Sequence, residues 1–172
     1  FITSLNTQWR PFGWMQNRLN IGNDFTARVD DNLRLRGEAA PITATYRLGA
    51  KNNARTGIQN FSVDMSSTSS FLPRPWLNSK TTVGIQYVHF AFNQNVAGGS
   101  ELSAGTQQAG ANAIQSASEA STTTRTLGFF IEESVALYDR AFFTFALRSD
   151  QNSAFGTDFQ SVLYPKASVS WM

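Results

Sequence analysis

The sequence predicts an all-β chain, an antiparallel transmembrane β-barrel segment of about seven strands with short periplasmic turns and long extracellular loops. Three observations predict it. Apolar residues recur with a period of two rather than 3.6. Most of the alternating runs are roughly 9–16 residues long, whereas strands of soluble proteins centre on about 5–6 residues and a tilted membrane-crossing strand needs about 9–11. The connections also alternate in kind, tight at one end and long and polar at the other, which is the asymmetry of outer-membrane barrels.

The elements follow in order. Ile2–Trp9 alternates loosely and stops at "RPFGW". Met15–Arg28 sets Leu19, Ile21 and Phe25 against Arg18, Asn20, Gly22 and Asp24. Thr56–Phe71 sets Phe61, Val63 and Met65 against Asn60, Ser62, Asp64 and Ser66, and ends at "LPRPWL". Lys80–Asn93 sets Val83, Ile85 and Tyr87 against Thr82, Gly84 and Gln86. Thr124–Tyr138 places Leu127, Phe129, Ile131, Val135 and Leu137 on one parity. After "YDR", Phe142–Asp150 sets Phe143, Phe145 and Leu147 against Thr144, Ala146 and Arg148. Leu163–Met172 closes with Ala167, Val169 and Trp171 against Lys166, Ser168 and Ser170. The stretches 29–55, 95–122 and 151–162 are expected to be the long loops, all at one end. The 95–122 stretch is Ala, Gly, Ser and Gln with few bulky residues. It cannot bury enough apolar area to offset its ordering entropy, so it reads as a mobile surface loop.

Composition supports a surface that does not simply face water. Charged residues are 15% of the 172, and aromatics are 13%, against roughly 25% charged in ordinary soluble domains. The net charge of +2 is dispersed, which argues against nucleic acid as a partner. With no cysteine, disulfide scaffolds and thiolate metal sites are excluded. No apolar run is long enough for a transmembrane helix, no signal peptide is visible, and both ends look cut in mid-pattern. The whole of 1–172 is therefore read as one partial barrel domain.

Catalytic chemistry finds little to build on. His89 is the single histidine and has no evident companions for a triad or an ordinary metal site. "GAKNNARTG" lacks P-loop spacing, Asp30-Asp31-Asn32 lacks the calcium-loop pattern, and "NFS" at 60–62 falls inside a strand. No enzyme and no cofactor is expected. Glu132 and Glu133 are adjacent, so on a strand they point to opposite faces and cannot act as a pair. Glu132 falls on the polar parity and Glu133 on the apolar one.

Parity assigns Asp64, Gln86, Glu132, Arg148 and Lys166 to the barrel lumen. Val83, Ile85, Phe143, Phe145, Leu147 and Val169 are assigned to outer-membrane lipid. A turn over 139–141 would pair 138 with 142 and so set Glu132 beside Arg148. Trp9, Trp14, Trp76 and Trp171 all lie by short turns or at an inward strand end, and Tyr138 at a similar height. They are expected to form an aromatic girdle at the periplasmic interface, where an indole satisfies both its ring and its N–H. A soluble β-sandwich is the competing fold; it would bury its tryptophans instead.

"GFFIEESVALYDRAFFTFALRSDQNSAFG" followed by "YPKASVSW" resembles the barrel of TonB-dependent outer-membrane transporters, and more closely the SusC/RagA-type group. The shared phrases are the turn Asp139-Arg140, the strand end Arg148-Ser149-Asp150, the bend Asn152–Gly156, and Tyr164-Pro165 leading to Trp171. "WRPFGW" and "FLPRPWLNSKTTVGIQYV" resemble earlier turn-and-strand phrases of such barrels. The resemblance implies energy-coupled import of glycan- or peptide-type nutrients across the outer membrane of a Gram-negative bacterium. It implies TonB as a partner through an N-terminal part missing here, and admits a SusD-like surface lipoprotein and a small-molecule, oligosaccharide or peptide substrate. The family's plug, TonB box and remaining strands have no counterpart in these residues. A passive porin-like or adhesin barrel is the alternative reading.

Overall fold

The structure is a computed structural model that describes residues 1–37, 47–155 and 161–172. Among these residues are seven strands: β1 (Ile2–Phe12), β2 (Met15–Arg34), β3 (Ala50–Arg74), β4 (Leu77–Leu102), β5 (Asn112–Leu137), β6 (Ala141–Asn152) and β7 (Val162–Trp171). They form one sheet in the order β1-β2-β3-β4-β5-β6-β7. Each strand thus pairs with its sequence neighbour, as short antiparallel connections require. No helix among the described residues is long and apolar enough to cross a membrane, which says nothing about crossing by strands.

The strands outrun the sequence pattern at the long-connection end. β2 is 20 residues long, β3 25, and β4 and β5 26 each. The 95–122 stretch is consequently not a loop. β4 continues to Leu102, β5 starts at Asn112, and Ala109–Ala111 form a single 3₁₀ turn between them. Its small residues need no apolar burial, because the ladder satisfies their backbone N–H and C=O groups. Leu102 and Asn112 are both buried where the strands meet the turn. The Asn112 side chain holds the turn by donating to Ala109 O at 2.8 Å and to Lys51 O at 3.0 Å. The expected loop 29–55 shrinks likewise, since β2 runs to Arg34 and β3 begins at Ala50; residues 38–46 lie outside the described residues. The expected loop 151–162 loses residues to β6 and β7 at either end, and 156–160, with Gly156 of the quoted bend, lie outside the described residues.

Two of the three tight turns are shorter than their sequence phrases suggest, and the third keeps three residues but begins one earlier than expected. β1 extends through "RPF" to pair Phe12 with Met15, with a register irregularity between Trp9 and Phe12. That bulge absorbs Pro11, which cannot donate to a ladder. The turn is Gly13-Trp14; the next is Pro75-Trp76. The third is Tyr138-Asp139-Arg140, not 139–141: Leu137 pairs with Ala141. Tyr138 and Asp139 both have φ of 53°, and Arg140 N donates to Leu137 O at 3.0 Å. Two successive positive φ values match the twist of a type I′ hairpin and set the register.

Contacts divide the chain into two units. One comprises Phe1–Asp24, Asn60–Phe90 and Thr124–Met172; the other comprises Phe25–Gln59 and Ala91–Thr123. In the first unit the register sorts side chains cleanly. Ile131, Leu147 and Pro165 stand abreast on β5, β6 and β7, as do Val135, Phe143 and Val169, and Leu137, Ala141 and Trp171. The opposite face carries Phe130, Arg148 and Tyr164, then Glu132, Ala146 and Lys166, then Ser134, Thr144 and Ser168. Among the described residues the buried apolar side chains are Leu102 and Ala141, while Val83, Phe129, Ile131, Phe145, Leu147 and Val169 are all exposed.

Candidate functional site

The polar face of the first unit is where charge collects. Arg148 sits on β6 opposite Phe130, not opposite Glu132 as the sequence reading expected, because the turn falls one residue earlier. That two-residue change of register preserves the face. Glu132 and Arg148 remain on one side of the sheet but are offset, Glu132 facing Ala146. Arg148 instead donates Nε to Asp150 Oδ1 at 2.8 Å and Nη2 to Gln86 Oε1 at 2.7 Å. The fork of the guanidinium thereby ties β6 to β4 across β5. Gly128, opposite Asp150, leaves the room: a Cβ there would overlap Asp150 Oδ1 and come within 2.9 Å of Arg148 Nη2.

Of the residues assigned to the lumen by parity, Gln86 and Arg148 are in contact, and Glu132 and Lys166 flank Ala146 on the same face. Asp64 shares its alternation on β3 with Thr68, whose hydroxyl lies 3.1 Å from that of Thr82 on β4. The sequence reading missed Asp150 as Arg148's ion-pair partner. Its signal was the Arg-x-Asp spacing, which puts both side chains on one strand face. Nearer the short turns the same unit has a cavity of about 480 Å³ lined by Arg10, Arg18 and Lys80 with Gln16 and the hydroxyls of Thr68 and Thr82.

The aromatics gather at the short turns. Trp14 stacks between Phe12, at 5.4 Å, and Phe71, at 5.3 Å. Trp76 stacks on Tyr138 at 5.6 Å, and its carbonyl accepts the Tyr138 N–H at 2.8 Å. Trp171 pairs with Ala141 beside the third turn, and Trp9 with Asn17 on the first hairpin.

The second unit holds an open cavity of about 860 Å³. Asp31, Lys51, Asn53, Arg55 and Glu119 give it mixed charge, and Gln107 and Gln108 add amides. Asp31 accepts from Asn53 Nδ2 at 2.7 Å and pairs with Lys51 Nζ at 2.9 Å. The Asn53 hydrogen bond, then the Lys51 contact, hold the Asp31 carboxyl below its ordinary 3.8. Such a lining suits polar, hydrogen-bonding ligands. Among the described residues no three His, Cys, Asp or Glu side chains gather into a metal-binding group.

No protein-family model matches the sequence, and no curated protein matches it. Solved structures do. The RagAB peptide transporter superposes with a TM-score of 0.89 at 16% identity, over 98% of this chain and 19% of that one. The RagAB peptide importer matches in its open-open state with a TM-score of 0.85 at 15% identity, and in its closed-closed state with 0.86 at 16%. In both states 98% of this chain and 19% of the importer chain are covered. At this identity the likeness establishes the fold: the chain has the architecture of about a fifth of a transporter chain.

Proposed function

We propose that the chain is a barrel-wall segment of an outer-membrane transporter that imports glycan- or peptide-type nutrients in an energy-coupled way. One observation carries the reading. An ordered sheet exposes Phe129, Ile131, Phe145, Leu147 and Val169 on one face and holds the Gln86–Arg148–Asp150 network on the other. Water tolerates the second face and not the first; lipid outside and an aqueous lumen inside tolerate both. The superposition on a peptide transporter supports the same reading, and RagB, the second component named with it, motivates a surface lipoprotein of SusD type as partner. Coupling through TonB and placement in a Gram-negative outer membrane belong to the proposal through the family resemblance.

β2 to β5, at 20 to 26 residues, are about twice what a tilted crossing of roughly 9–11 residues needs. The crossing portion is the part next to the short turns, where the aromatics gather.

Depth-dependent fluorescence quenching tests the assignment. Each tryptophan is kept alone in turn, and the protein is placed in vesicles whose lipids carry bromine near the headgroup or at mid-chain. Trp9, Trp14, Trp76 and Trp171 should be quenched more by the shallow bromines. A protein that stays soluble without detergent and shows no quenching would refute the membrane reading.

A further inference from the structure

Glu133 stands on the apolar face, opposite Phe145, which in turn faces Ala167. A carboxylate on a lipid-facing surface is costly, and an ionisable group inside a membrane is by default a site with a partner. Two hydroxyls from β4 hold it: Ser79 Oγ donates to Oε1 and Thr81 Oγ1 to Oε2, each at 2.5 Å. One donor on each oxygen fixes the carboxylate's plane and leaves acceptor capacity on both. The hydroxyls do not cancel its charge.

Beside it lies a depression of about 590 Å³ whose apolar lining comes from Ile131, Phe145, Leu147, Pro165 and Ala167. Ala146 and Lys166, whose register puts their side chains on the other face, complete the lining. Glu133 is in the last turnward stretch of β5, which ends at Leu137. The Trp76–Tyr138 stack marks that same end, and paired indole and phenol rings sit at headgroup level. A fixed anion beside an apolar bed, close to the headgroup level, fits an amphiphile with a hydrogen-bonding cation.

We propose that Glu133, set by Ser79 and Thr81, is the headgroup site of a phospholipid carrying a primary amine, with its acyl chain in the adjoining depression. The inference rests on the membrane reading above. A primary ammonium donates hydrogen bonds to the carboxylate; a trimethylated one has no N–H to donate. The site therefore discriminates phosphatidylethanolamine from phosphatidylcholine.

The test uses the intact protein, purified from membranes and placed in nanodiscs of equal parts of the two lipids, with retained lipid counted by native mass spectrometry. Wild type should retain phosphatidylethanolamine in preference. Glu133→Gln keeps an acceptor for the hydroxyls but loses the charge, and the preference should fall roughly tenfold, the scale of one charge-assisted hydrogen bond. Equal retention of the two lipids by inserted wild type overturns the proposal without any variant having to fold. An unchanged preference in Glu133→Gln overturns it too, leaving Glu133 as an interstrand clamp alone. Carbodiimide coupling of Glu133 to a protein lysine instead of a lipid amine overturns the lipid assignment. Failure to enter nanodiscs at all overturns the membrane reading itself, which separates the two failures.

Discussion

The ring of Phe130 occupies the space that a Cβ at Gly84 would need, and the Met65 carbonyl oxygen lies 2.9 Å from the same position. An aromatic from β5 thus covers a bare backbone on β4, the way strand glycines are commonly rescued. Gly84→Ala should destabilise the sheet by about 1–3 kcal/mol through overpacking. Denaturant unfolding in detergent checks this. Phe130→Ala in the same chain should return part of the loss, because residues in contact do not contribute additively.

The Arg148 fork should behave as a unit. Arg148→Ala leaves Asp150 and Gln86 without their shared donor, and the half-exposed pair should contribute about 1 kcal/mol. Arg148→Lys should recover little, since one ammonium cannot reach both partners in fork geometry. Gly128→Val should act like Arg148→Ala, because the new side chain would push apart the Asp150 carboxylate and the Arg148 guanidinium. A double-mutant cycle of Gln86→Ala and Arg148→Ala that shows no coupling would remove the network.

Insertions separate the true connection from the extended strands. A short tag at Thr106, between β4 and β5, should leave amide hydrogen exchange in both ladders unchanged. The same tag after Gly98 or after Ser118 interrupts β4 or β5 and should deprotect neighbouring amides. Equal tolerance at all three positions would return the 95–122 stretch to a loop.

Asp31 predicts a pH dependence confined to acid. Its folded-state pKa is depressed below 3.8 by Asn53 and Lys51. The contact's contribution is therefore fully present above the unfolded value and lost as pH falls through the folded one. Asp31 is exposed, so salt should weaken the effect. A carboxyl-carbon NMR titration should give a midpoint below 3.8 for Asp31, and Asn53→Ala should move it upward.

The amino-acid sequence determined the strand class, the antiparallel order and the two faces. Those follow from local alternation, because successive side chains on a strand must point to opposite sides. Ile131, Leu147 and Val169 on one face and Glu132, Arg148 and Lys166 on the other were legible from parity alone. The tight turns were legible to within a residue or two but not in their exact bounds, since whether Tyr138 adopts φ of 53° is settled by the twist of both strands it joins. A one-residue shift in the turn's position then moved Glu132 from Arg148 to Ala146. The reach of β4 and β5 through Ala-, Gly- and Ser-rich sequence was hidden for another reason. Ladder hydrogen bonds join backbones, and composition does not register them. Only the tertiary structure brought Ser79 and Thr81 to Glu133, from 54 and 52 residues away. Contacts across such separations depend on register between strands, and register is a property of the assembled sheet.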